Sequence, residues 1–126
     1  MDILVVDDNR DAVESLMEFL ESSGHNVTPC FGGFEAIEEF SRHKFHLVLM
    51  DLKIPKMSGG ETIKHIFELE PKARIVVLTG NTIAEDIEEV RKLGVVEIFR
   101  KPFPPEKILE LIEIESAFSQ IPTYTK

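Results

Sequence analysis

Five polar residues follow or close apolar runs along this chain: Asp7 and Asp8 after ILVV (3–6), Asp51 after FHLVLM (45–50), Thr79 at the end of ARIVVLT (73–79), and Lys101 just past VVEIF (95–99). Three carboxylates brought to one rim repel one another and raise each other's pKa unless a cation intervenes. A hard divalent ion such as Mg²⁺ fits three such acids, because it prefers oxygen ligands and keeps some of its water. The hydroxyl and the ammonium suit the oxygens of a phosphoryl group. The chemistry these types can do together is phosphoryl handling, provided the chain folds so that the run ends meet.

The elements between the runs say that it does. FHLVLM is apolar at nearly every position, as in a strand buried on both faces of a parallel sheet. Helical stretches separate the strands. In NRDAVESLMEFLESSG, Val13, Leu16, Met17 and Leu20 keep the spacing of one helical face, and Gly24 stands where a helix ends. NVTPCF (26–31) is a weaker strand whose Pro29 assigns it to a sheet edge. GFEAIEEFSRH places Phe34, Ile37 and Phe40 on a short second helix, and GETIKHIFELE (60–70) is a third, closed by Pro71. Ile83, Ile87 and Val90 mark the fourth helix, and EKILELIEIESAF (106–118) the fifth, opened by prolines that suit a first turn. Five strand–helix units imply parallel strands joined by right-handed crossovers, an α/β doubly wound domain with its ligands at the carboxyl ends of the strands. The domain is expected over 1–118, with a short polar, frayed tail over 119–126.

Bulk composition narrows the partners. The 126 residues suffice for one domain with a proper core. A net charge of −9 disfavours direct binding to nucleic acid or to an anionic membrane surface. Cys30 stands alone, which excludes an internal disulfide and a cysteine zinc cluster. No apolar run approaches the ~18 residues of a membrane span, so no membrane insertion is expected. MDILVVDD turns acidic too early for a signal peptide, and the expected location is the cytoplasm.

From LVVDD (4–8) through MDLKIPKMSGG (50–60) and VVLTG (76–80) to FRKPF (99–103), the chain resembles a response-regulator receiver domain, the phosphoacceptor of two-component signalling. Each piece alone is weak; all four in order on the correct strand ends are specific. The resemblance implies a flavodoxin-like (βα)5 domain with strand order 2-1-3-4-5. It also implies that Asp51 accepts phosphate from a phosphohistidine. Asp8 resembles the direct Mg²⁺ ligand beside Asp51, with Asp7 acting through water and the backbone carbonyl of Lys53 completing the set. Thr79 then bonds a phosphoryl oxygen and moves toward it, Lys101 pairs with another, and the Lys101–Pro102 bond is cis. The implied partners are a sensor histidine kinase or phosphotransfer protein and a downstream effector protein, with the chain a monomer or a phosphorylation-dependent dimer. In relatives the first helix and the loop after the fifth strand meet the kinase, which points to Ala12, Ser15, Phe19 and Pro104.

Blander readings exist for each residue. Asp7 and Asp8 favour a helix N-terminus by charge alone, Asp51 fits a turn, Thr79 fits a strand end, and Lys101 fits a solvated surface. Their alignment on one rim outweighs these readings taken singly. His43 and His46 flank Phe45 and make a poor metal pair, His25 and His65 read as surface residues, and Cys30 as filler of a small buried site. Met17, Met50 and Met57 read as packing. Two departures from the family pattern stand out. Ile98 occupies the position three before the lysine where an aromatic switch residue is common, with Phe99 pointed to the opposite face. Lys53 also sets a cation two residues past the phosphoacceptor.

Rival readings are a receiver unit of a larger transcription factor or hybrid kinase, and a flavodoxin-like FMN binder whose LTGNT (78–82) imitates a phosphate loop. Asp7 and Asp8 stand where that FMN phosphate would be bound and would repel it. A phosphatase with a strand-end Asp nucleophile normally needs an acid at position 53, which is lysine, and a P-loop is absent.

Overall fold

Alternation along the strands builds the two-sided core. The computed structural model describes residues 1–80 and 84–124, with side chains described for 1–80 and 86–117. Its elements run β1 (Asp2–Val6), α1 (Arg10–Ser22), β2 (Asn26–Cys30), α2 (Gly33–Arg42), β3 (Leu47–Met50), α3 (Gly59–Leu69), β4 (Ile75–Thr79), α4 (Ala84–Lys92), β5 (Glu97–Arg100) and α5 (Pro105–Tyr124). The strands pair in parallel in the order β2-β1-β3-β4-β5, as expected. β2, the strand with Pro29, lies on an edge.

Successive strand residues point to opposite faces. Leu4, Val6, Val48, Met50, Ile75 and Val77 pack with Ala36, Ile63, Ile66 and Ile87, so α2, α3 and α4 cover that side. Ile3, Val5, Leu47, Leu49, Val76 and Leu78 pack with Val13, Leu20, Ile108 and Ile112 of α1 and α5 on the other. All four β3 residues are buried, which explains the continuous apolar run read in the sequence. Ile98 joins the first cluster and Phe99 the second, where its ring meets Phe103 at 6.0 Å between centroids.

The helix ends follow local chemistry. Asn9 caps α1 by accepting from the Ala12 N–H at 3.2 Å. The C-terminus of α1 closes with His25 N–H on the Leu20 carbonyl and Gly24 N–H on that of Glu21. Gly24 adopts φ +92°, the left-handed conformation such a cap requires. Ser58 caps α3 by accepting the Glu61 N–H at 3.2 Å.

Several details refine the sequence reading. Phe34, Ile37 and Phe40 lie on α2 as expected, with Phe34 62% exposed and Gly33, Ala36 and the half-buried Phe40 turned inward. Gly33 lies so close to α3 that a β-carbon there would collide with Thr62 and Met57, which sets the roll of α2. β3 and β5 start two residues later than drawn, at Leu47 and Glu97. α5 continues to Tyr124, so its backbone is helical across the 118/119 boundary. Ile83, the Asn81–Thr82 part of LTGNT, and the last two tail positions lie outside the described residues. Cys30 is fully buried, and Ile87 and Val90 of α4 are buried. No helix among the described residues is long and apolar enough to cross a membrane.

Candidate functional site

Register carries the acids to one place. Val6 of β1 pairs with Met50 of β3, so the residues that follow, Asp7 and Asp51, emerge side by side at the carboxyl edge. The ladder continues one step into the loops: Asp51 N–H donates to the Val6 carbonyl at 2.9 Å and Asp7 N–H to that of Cys30 at 3.1 Å. Both acids are largely buried, at 7% and 8% exposed, whereas Asp8 faces solvent. Carboxylate oxygens of Asp7, Asp8 and Asp51 lie within 4.8 Å of one another.

Lys101 binds the pair. Its Nζ donates to Asp7 Oδ2 at 2.8 Å and to Asp51 Oδ2 at 3.2 Å. The remaining oxygens are held by backbone: Asp7 Oδ1 accepts from Asn9 N–H at 3.0 Å, and Asp51 Oδ1 from Lys53 N–H at 3.1 Å. Burial resists charge on both acids. For Asp7 the short bond to Lys101 and the Asn9 N–H outweigh it, and the pKa falls below the usual carboxylate value. For Asp51 burial prevails over the Lys53 N–H and Lys101, with the Asp7 charge adding to it, and the pKa rises. Burial alone lowers the Lys101 pKa, but its bonds to the two carboxylates reverse the sign and hold the ammonium charged.

Thr79 ends β4 fully buried, and its carbonyl accepts the Lys101 N–H at 2.8 Å. The threonine and the lysine are thus tied through their backbones, and the Lys101–Pro102 bond that follows is cis. Behind the acids a cavity of about 70 Å³ is lined by Ala12 and Leu16 of α1 with Phe103. Ser15 and Pro104 are exposed nearby, while Phe19 is half-buried in the core between α1 and α5.

Two contributors went unread in the sequence. Asn9 serves both the site and the α1 cap, a double role written in the order Asp-Asp-Asn just before a helix. Gly59 is the other. A β-carbon there would sit 2.4 Å from the Asp51 carbonyl oxygen and 2.5 Å from Leu52 Cα, so α3 starts against the backbone of the Asp51 segment.

The donor set suits Mg²⁺: three hard carboxylates against one ammonium leave two negative charges at the rim.

Comparison with known proteins agrees with this geometry. Residues 3–113 match the response regulator receiver domain. A response regulator receiver protein of Anaeromyxobacter sp. (strain Fw109-5) is 32% identical over 108 residues, covering 86% of this chain and 45% of that protein. The chain therefore spans less than half the length of this relative. Chemotaxis protein CheY of Thermotoga maritima is 30% identical over 87% of this chain and 92% of its own. Among solved structures, a CheY-like receiver domain protein from Methanospirillum hungatei JF-1 superposes with a TM-score of 0.87 at 28% identity, over 90% of this chain and 91% of that one. The Thermotoga maritima regulator TrrA, solved with Mg(2+)-BeF, gives 0.81 at 28% identity over 90% and 97%. With its five-stranded order, its acid rim and a match over nearly its whole length, the chain belongs to the response regulator receiver domain family, the signalling phosphoacceptors of two-component systems.

Proposed function

We propose that Asp51 is the residue that takes the phosphoryl group, from a phosphohistidine on a sensor histidine kinase or phosphotransfer protein. The observation that carries this reading is the Lys101 ammonium bridging Asp7 and Asp51 on the rim of the sheet. An oxygen of the ionised Asp51 carboxylate attacks phosphorus in line. The P–N bond breaks, its electron pair leaves on the imidazole nitrogen, and an acyl phosphate remains on Asp51. Lys101 follows the charge from the Asp51 oxygen to a phosphoryl oxygen, while Asp7 keeps its ammonium near. Thr79 offers its hydroxyl to another phosphoryl oxygen and couples that contact to the β4 end. Asp8, Asp51 and the Lys53 carbonyl would hold Mg²⁺, with Asp7 behind a water. When bound, the ion offsets charge on the phosphoryl oxygens. Water hydrolyses the mixed anhydride, so the domain assists its own dephosphorylation and the signal is transient.

In this reading the unit spans 1–118, acts in the cytoplasm, and signals to an effector protein through its surface, with Ala12, Ser15 and Pro104 on the kinase side. A second reading, the receiver unit of a longer transcription factor or hybrid kinase, is favoured by the 45% coverage of the Anaeromyxobacter relative. The reading frame beyond Lys126 separates the two. FMN binding is not favoured, because the acids after β1 face the place its phosphate would need.

The test is chemical. Incubation with a small phosphodonor and Mg²⁺ should add one phosphate to the intact mass, labile to hydroxylamine, and Asp51→Asn should abolish it. Thr79→Ala should still be labelled but fail to switch. An Asp51→Asn protein labelled as fast as wild type would sink the assignment.

A further inference from the structure

The rim carries a second cation on the side away from β5. Val6 pairs with Cys30 of β2 and with Met50 of β3, so the residues that follow the three strands, Phe31, Asp7 and Asp51, stand in a row. Neighbouring strands lie about 4.8 Å apart, which sets the Phe31 backbone about 10 Å from that of Asp51. Arg10 opens α1 and lays its guanidinium over the Phe31 ring, with Cζ 4.0 Å from the centroid. Acids are at hand. Asp8 and Asp11 lie within two residues of it, and Glu14 one helical turn on, at a spacing where ion pairs form. Among the described residues Arg10 forms an ion pair with none of them. Its charge is held at the rim by an uncharged ring, whereas the Lys101 ammonium is shared between two carboxylates. Phe31 offers no oxygen to the guanidinium N–H groups, which suit the oxygens of a phosphoryl group.

We propose that Arg10 determines which phosphodonors the rim accepts, drawing in doubly negative acyl phosphates in preference to less charged donors. The inference rests on Asp51 as the phosphoacceptor. Two net negative charges at the rim and −9 on the chain repel such a dianion. A guanidinium about 10 Å away offsets part of that repulsion. Its attraction for a dianion in water raises the local donor concentration about threefold at about 0.01 M ionic strength, and about twofold or less at about 0.1 M. For a single negative charge the gain at low salt is about twofold or less. The same charge opposes Mg²⁺ at the neighbouring acids by about the dianion's factor.

Labelling rates with acetyl phosphate, a dianion at neutral pH, and with singly negative phosphoramidate test this, read by intact mass with Mg²⁺ present. At about 0.01 M ionic strength Arg10→Ala should slow acetyl phosphate about threefold and phosphoramidate about twofold or less. Arg10→Glu reverses the charge and should widen these losses to about sevenfold and about threefold. Arg10→Lys keeps the charge and should keep most of the rate. At about 1 M, where the screening length is about 3 Å, all variants should converge on wild type. Titration with Mg²⁺ alone should show about threefold tighter binding in Arg10→Ala, whereas a merely distorted site would bind the ion more weakly. Arg10 is exposed, and circular dichroism will register any loss of fold. Equal slowing of both donors, unchanged rates, or weaker Mg²⁺ binding in Arg10→Ala overturns the proposal. Wild-type labelling that survives Asp51→Asn sinks the Asp51 reading and this one with it, and it shows with Arg10 intact.

Discussion

Gly59→Ala separates a steric requirement of the site from ordinary helix propensity, because Gly60 beside it supplies the control. Both glycines belong to α3. At Gly59 a new β-carbon would meet the Asp51 carbonyl oxygen at 2.4 Å and Leu52 Cα at 2.5 Å. Unstrained contacts need about 3.5 Å, so α3 or the Asp51 segment must give way by about 1 Å. Both opposing atoms are backbone, and no rotamer change relieves them. Overpacking of this kind costs about 1–3 kcal/mol, against a propensity gain of about 0.5–1 kcal/mol for Gly→Ala in a helix. The net loss of about 1–2 kcal/mol lowers Tm by roughly 4–8 °C in a domain of this size. At Gly60 the nearest atom is Ser58 Oγ at 3.9 Å, so Gly60→Ala keeps only the gain. That variant should melt about 2–4 °C above wild type. Thermal melts followed by circular dichroism check both signs. A shift of about 1 Å at the Asp51 backbone also misplaces the proposed nucleophile, which can slow a reaction by about a hundredfold. Phosphorylation should therefore slow in Gly59→Ala and not in Gly60→Ala. If Gly59→Ala melts at or above wild type, the close approach is not a constraint and the reasoning fails.

Other outcomes follow from the charges and burial at the rim. The Asp51 pKa is raised by burial in the folded state, so the ionised carboxylate penalises folding above that pKa and the penalty fades as pH falls through it. Without divalent cation, Asp51→Asn should thus raise Tm at neutral pH, with the gap closing in acid; equal melting at pH 7 would refute this. Asp7 has the opposite sign, and its stabilisation is present above the unfolded pKa and lost as pH drops through the lowered folded value. Isothermal titration with Mg²⁺ should show a large loss of affinity for Asp8→Asn, while unchanged binding would move the ion elsewhere. Burial, with Glu35 and Glu39 nearby, pushes the Cys30 thiol up to about 12, so a thiol reagent at pH 8 should label it only on the unfolding timescale. Fast labelling of the native protein would contradict its burial.

The fold was legible because a parallel sheet leaves a strong trace. LVLM has no polar residue to spare for solvent, Pro29 marks an edge strand, and Gly24 marks the end of α1. The acids and Lys101 were legible from their places at strand ends, since register in a parallel sheet carries such residues to one side. Phe34 was placed on the second helix, where it lies, but helical spacing does not tell which of two faces turns inward. A glycine at position 33 decided that, by allowing α2 to lie against Thr62. Gly59 and Asn9 were missed for a related reason: a missing side chain and a backbone N–H leave no periodic signal. The opposite pKa shifts of Asp7 and Asp51 depend on burial, which the bonds to Lys101 and Asn9 outweigh at Asp7 and the Lys53 N–H and Lys101 do not at Asp51, a distinction that exists only in three dimensions.

The lysine bond to Asp7 joins residues 94 positions apart. Between them the ladder must be laid from β1 to β3, from β3 to β4 and from β4 to β5, each pairing bridging a helix-bearing crossover. Non-local contacts of this kind are entropically late in folding. A chain emerging from the ribosome therefore exposes Asp7 and Asp51 long before the cation that serves them has been synthesised. On the proposed roles of Asp51 and Lys101, a copy cut before the fifth strand lacks the ammonium the two acids share and should be phosphorylated more slowly than the complete domain.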